Sequence, residues 1–209
     1  MNKIMIAWVS VTMVLAAASR GQGAFQNLDF EAAHNLPVSG APFATTNALP
    51  SWYAFSGINP LSTIPYNMFS AVPQVGLYGS NSTVVSGFFS VFLSNGGNIS
   101  QLGLVPTGAR SLIFKVHSTY LPLLDVSLGG QSLAEVALSS GTDFNVYGAD
   151  ISAFAGHTAN LVFFAPLGSS HFLDDIQFSP TAVPEPSSFA LCLTGGIITA
   201  RRLIRQRKT

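Results

Sequence analysis

The sequence predicts an all-β domain, a jelly-roll-like β-sandwich, and three observations predict it. The central part of the 209-residue chain is a succession of short apolar runs separated by Gly, Ser, Thr, Asn and Pro, the punctuation of strands and turns. Leu112, Phe114 and Val116 alternate with Lys115 and His117, which puts the apolar three on one face of a half-buried strand. Around Gly129-Gly130, two apolar stretches flank a pair of residues that can both take positive φ, as a two-residue hairpin turn requires. No stretch of the body carries a helical period, and Ile151–Ala155 suggests a single turn at most. Many short strands with frequent turns specify a sandwich or barrel.

Each strand follows from such a run. Phe25–Glu31, Trp52–Phe55, Val75–Tyr78, Phe88–Leu93, Leu112–His117, Phe144–Tyr147, Leu161–Ala165 and Phe172–Phe178 are apolar or alternating and bounded by turn residues. The expected hairpin is Leu123–Leu138: Leu124, Val126 and Leu128 alternate with Asp125 and Ser127, and the return strand is expected over Leu133 to Leu138. In the last strand, strict alternation would put Asp174 on the inward side with Ile176 and Phe178. Trp52 reads as a core residue.

The two ends of the chain differ from this body. Met-Asn-Lys, an apolar run from Ile4 to Ala18 and the small residues Gly21-Gln22-Gly23-Ala24 have the three parts of a secretory signal, expected over residues 1–24 with cleavage after Gly23 or Ala24. The β-domain is then residues 25–180, enough to bury a core without disulfides or zinc. Residues 181–188 form a linker with two prolines. After it, Phe189 to Ala200 is apolar and the last residues are strongly basic.

The formal net charge of zero conceals a division. The body holds two basic residues, Arg110 and Lys115, against eight acidic ones, a net charge of −6. Such a surface repels phosphate backbones, so nucleic acid is excluded as a partner. The one cysteine, Cys192, lies in the apolar tail, which excludes a disulfide framework and a thiolate metal site from the body.

Pro184-Glu185-Pro186, an apolar segment from Phe189 containing Gly195-Gly196, and the basic Arg201, Arg202 and Arg205 stand in that order over residues 183–209. This arrangement resembles the PEP-CTERM sorting signal of Gram-negative bacteria. The resemblance implies an exosortase-type transpeptidase as partner, cutting near the Pro-Glu-Pro. It also implies a membrane-held precursor and a final place at the cell surface or in the extracellular polysaccharide matrix. The physics agrees: arginines stay on the cytoplasmic side, and prolines keep the cut site extended. The apolar run of about a dozen residues makes a helix of roughly 18 Å, short of a hydrocarbon core of about 30 Å, which suits a transient anchor.

In the body, Asn27-Leu28-Asp29-Phe30-Glu31 followed by Trp52, and Phe172-Leu173-Asp174-Asp175-Ile176-Gln177-Phe178, resemble the first and last strands of galactose-binding-like jelly rolls, many of them carbohydrate-binding modules. The resemblance implies a structural calcium held by Glu31 and by Asp174 or Asp175, with Asp29 as a further candidate. The alternative is that Asp174 caps backbone N–H groups in a turn. No other cofactor is required.

No catalytic constellation is visible. His34, His117, His157 and His171 have no metal-ligand spacing, there is no Gly-x-Ser-x-Gly, and the body's two glutamates, Glu31 and Glu135, lie far apart in sequence. The expectation is a non-enzymatic exported envelope or matrix protein. The alternative is a cell-surface carbohydrate-binding module using Tyr53, Tyr66, Tyr78, Tyr120 or Tyr147 to stack on a sugar.

Overall fold

The computed structural model describes residues 23–68, 74–79, 84–120 and 123–183. The expected signal up to residue 22 lies outside the described residues, as do Pro184, Glu185, Pro186, Phe189, Gly195, Gly196, Arg201, Arg202 and Arg205 of the tail.

The strands in chain order are β1 (Pro42–Ala44), β2 (Tyr53–Ser56), β3 (Asn59–Pro60), β4 (Thr63–Pro65), β5 (Val75–Gly79), β6 (Phe89–Ser94), β7 (Gly97–Leu104), β8 (Ser111–Tyr120), β9 (Asp125–Leu128), β10 (Gln131–Ser132), β11 (Glu135–Ser140), β12 (Asn145–Asp150), β13 (Thr158–Phe164) and β14 (Ser170–Ser179). A one-turn α-helix, Thr45–Ala48, follows β1, and a 3₁₀ turn, Ser152–Phe154, falls where a single turn was expected. Two six-stranded antiparallel sheets form the sandwich. The first has the order β10-β9-β13-β7-β2-β3 and the second β11-β12-β8-β14-β6-β5. From β6 onward the chain crosses between the sheets at nearly every connection, the jelly-roll-like pattern.

The inner faces hold the core. Leu112, Phe114 and Val116 are all buried, as their alternation predicts, and Phe114 meets Phe163 of the other sheet edge-on at 5.3 Å. Trp52 is buried as expected. Its ring lies 5.7 Å from Phe30 and 6.4 Å from Phe163, and its indole N–H donates to the Asn27 carbonyl at 2.9 Å. That bond satisfies the one polar atom that burial would otherwise strand.

Three local expectations need correction. Phe25–Glu31 is not a strand. Asn27 and Phe30 have φ of +49° and +59°, which breaks an extended run, and only Ala24 makes a bridge, to Leu104. The Gln101 side chain substitutes for a strand partner: its carbonyl accepts from the Gln26 N–H at 2.7 Å and its amide donates to the Gln26 carbonyl at 2.9 Å.

The hairpin turn at Gly129-Gly130 is present, with φ of +58° and +79°. Its return strand is not Leu133 to Leu138: Gln131 and Ser132 pair back on β9, and the Leu133 N–H makes the last bond, to the Val126 carbonyl at 2.8 Å. The chain then crosses over, and Glu135–Ser140 pairs with β12 in the other sheet. Where the strands part, the Glu135 carboxylate accepts from the Val126 N–H at 3.1 Å, which the missing partner leaves open.

Asp174 does not share a face with Ile176 and Phe178. The register of β14 against β8 shifts between Asp174 and Gln177, and Asp175 sits at φ +47°. This bulge adds one residue and inverts the parity. Leu173 pairs with inward Val116, so Asp174, opposite Lys115, points to the outer face. It is still fully buried.

Both termini of the described domain leave from one end of the sandwich. Ala24 lies beside Leu104, and the Ser111 hydroxyl donates to the Thr181 carbonyl at 2.7 Å. The opposite end is a knot of turns in which the Gly57 N–H donates to the Gly96 carbonyl and the Gly96 N–H to that of Ala165.

Candidate functional site

The acids singled out from the sequence meet in one place. Asp29, Glu31, Asp174 and Asp175 line an open cleft of about 240 Å³ together with Ser86 and Gly87. The β14 bulge brings Asp174 and Asp175 there, and the turn at residues 27–31 supplies Asp29 and Glu31. The stretch 84–89, leading into β6, forms the opposite wall.

The carboxylates hold that wall. Glu31 Oε1 accepts from the N–H groups of Phe88 and Phe89 at 2.7 and 3.1 Å. Asp174 Oδ2 accepts from the Ser86 N–H at 3.0 Å and the Ser90 hydroxyl at 2.6 Å, while Oδ1 accepts from the Asp175 N–H at 2.7 Å. Asp175 Oδ2 pairs with Lys115 Nζ at 2.7 Å, and its Oδ1 accepts from the Gln177 amide. The Lys115 ammonium also lies 5.1 Å over the Phe144 ring.

Burial pushes the Asp174 carboxyl up to about 7, with the Glu31 charge adding to the rise and the Ser90, Asp175 and Ser86 donors working against it. Asp175 goes the other way: burial raises it, but Lys115 and Gln177 outweigh that and hold it below the usual range. Away from the cleft, burial pushes Glu135 up to about 7, opposed by the Val126 N–H and assisted by Asp125.

The lining is carboxylate oxygen, which suits a hard cation such as calcium. Among the described residues, however, no group of three or more His, Cys, Asp or Glu side chains stands close enough to hold a metal ion. The oxygens already serve protein donors: Asp174 accepts two backbone N–H groups, as in the capping alternative, and the Ser90 hydroxyl besides.

A second feature lies on the outer face of the first sheet, where the sequence pointed to Tyr53 alone. Tyr53 pairs with Ser100, which pairs with Val162 and so with Ser127. The next row runs Phe55, Asn98, Phe164, Asp125. Leu102 and Asn160 form a third. Tyr53 is 68% exposed and Leu102 47%. Phe55 and Phe164 are half-buried, so their rings are open on the outward side. Asp125 is the only charged group in these three rows. Of the other tyrosines considered, Tyr66, Tyr78 and Tyr147 are buried.

A scan against protein-family models finds no match, and neither does a search of the curated proteins. Among solved structures, the chain is similar to TmCBM61 in complex with β-1,4-galactotriose, at 16% identity and a TM-score of 0.43 over 76% of this chain and 99% of that one. It is also similar to a glycoside hydrolase family 43 arabinoxylan arabinofuranohydrolase from Bacillus subtilis in complex with cellotetraose, at 22% identity and a TM-score of 0.40 over 59% of this chain. The match spans 29% of that longer enzyme. Both scores lie below one half, and the sandwich rests on its own strand pairing.

Proposed function

We propose that this protein is a non-catalytic, exported module of the cell envelope whose open sheet face takes a polysaccharide chain. The observation that carries the binding role is the set of cross-strand rows built on Tyr53, Phe55 and Phe164. Sugars present apolar C–H faces and hydroxyl edges. One exposed ring and two half-buried ones, interleaved with Asn98, Asn160, Ser100 and Ser127, match both at once, with little charge. In the acidic cleft the same oxygens that would serve a hydrolase hold backbone amides or Lys115, which supports a binding rather than a catalytic role.

The delivery role rests on the signal-like start and on the order of Pro184-Glu185-Pro186, the apolar segment and Arg201, Arg202 and Arg205. An exosortase-type enzyme would process the tail, with the membrane as the precursor's anchor. The calcium that the resemblance implied at Glu31 and at Asp174 or Asp175 is not needed for this reading, since hydrogen bonds from residues 86–90 already engage Glu31 and Asp174.

The binding role is tested on a glycan array with the chain lacking residues 1–24. Wild type should retain a neutral polysaccharide that Tyr53→Ala and Phe164→Ala release, with melting little changed for the exposed Tyr53. Equal retention by all three would overturn the face as the site. The delivery role is tested by intact mass of surface material from the native host: chains that all keep Thr209 would overturn it.

A further inference from the structure

Gly148 lies in the middle of β12 on the outer face of the second sheet, yet it is buried. Two side chains bury it. A Cβ built on Gly148 would stand 2.5 Å from Val183 Cγ1 and 2.8 Å from Leu138 Cδ1. Glycine inside a strand weakens it and often marks where another part of the chain must come close. Here the part that comes close is the end of the domain. After β14 the chain does not run off the sandwich. It turns sideways over the start of β8, where the Ser111 hydroxyl holds the Thr181 carbonyl at 2.7 Å, and the Thr181 N–H donates to Ser179 Oγ at 3.1 Å. Val183 then drops into the slot at Gly148. The sheet order β12-β8-β14 makes this a step of two strands, roughly 10 Å, which four extended residues can span.

We propose that residues 181–183 form a latch, seated by Val183 in the Gly148 slot, that controls how readily a protease reaches the chain immediately after it. A protease binds residues on both sides of the bond it cuts, so an enzyme acting on the chain just after Val183 would need Val183 itself to leave the slot. When opening and closing are fast, cleavage follows the open fraction. The latch therefore sets the rate at which the domain parts from its tail. The proposal rests on the sorting reading for its biological use but not for its existence.

The test is limited proteolysis of the full chain in detergent with proteinase K, with cuts mapped by intact mass and scored between residues 182 and 189. Val183→Ser removes the knob without touching the sheet. Gly148→Ala fills the slot without changing the cleaved sequence. Both should speed cutting in that window about fivefold or more, with the melting of the sandwich preserved in Val183→Ser. Wild-type rates in both variants would overturn the latch. Faster cutting in Gly148→Ala alone would also overturn it, because distortion of β12 would then account for the effect. No host enzyme takes part, so a failed latch is distinguishable from a failed sorting signal, which shows instead as surface protein retaining Thr209.

Discussion

The Ser90 hydroxyl donates to the Asp174 carboxylate at 2.6 Å, and both residues are fully buried although both lie on the outer face of their sheet. Val85 completes the relay by donating its N–H to Ser90 Oγ at 2.8 Å. Ser90→Ala removes one of the three donors that hold a buried carboxylate and leaves the Val85 amide without its acceptor. A loss of about 1–3 kcal/mol is expected, read by chemical denaturation. A stability equal to wild type would mean that water replaces the hydroxyl.

Gly87 has φ +59°, and a Cβ there would stand 2.2 Å from Glu31 Oε1. Gly87→Ala therefore meets a strained backbone and displaces the carboxylate that holds the Phe88 and Phe89 amides. The expected cost exceeds the roughly 1 kcal/mol of positive φ alone. Glu31→Gln with Gly87→Ala should cost less than the sum of the two singles, since both break the same bonds. Additive losses would separate the two residues.

Stability should fall as pH rises from about 4.5 to about 7. Glu135 and Asp174 both have carboxyls pushed up to about 7. Between their unfolded and folded values the native state holds protons that the unfolded chain has released, so ionisation favours unfolding. Their contribution is complete below the unfolded pKa and gone above the folded one. Asp150 and Asp175 shift downward and act in the opposite sense, at lower pH. Glu135→Gln should flatten the slope between pH 5 and 7. An unchanged slope in melting temperature would assign the effect to Asp174.

Calcium at 100-fold its dissociation constant would stabilise the fold by about 2.7 kcal/mol. With the cleft oxygens already serving protein donors, melting should instead be identical in calcium and in chelator. A rise on adding calcium that Asp174→Ala abolishes would overturn this.

What the sequence determined by itself is local. The alternation of Leu112, Phe114 and Val116 fixes which side of β8 is inward, because side chains alternate whatever the strand pairs with. Gly129-Gly130 specifies a turn because few other pairs tolerate two positive φ angles. The order of Pro184-Glu185-Pro186, apolar segment and arginines belongs to the sequence alone. The acidic cleft was legible only through resemblance, since Glu31 and Asp174 are too far apart in the chain for spacing to join them. Tertiary structure decided the rest. The side taken by Asp174 depends on a bulge that pairing with β8 creates, and one inserted residue inverts every parity argument beyond it. The fate of Leu133 to Leu138 depended on competition between two sheets for one strand. β7 went unrecognised because Gly97–Leu104 carries Gln101 inward and Leu102 outward, which blurs the apolar alternation. Without β7 there is no register to bring Tyr53, Phe55 and Phe164 onto one face, so that surface exists only once the sheet is assembled.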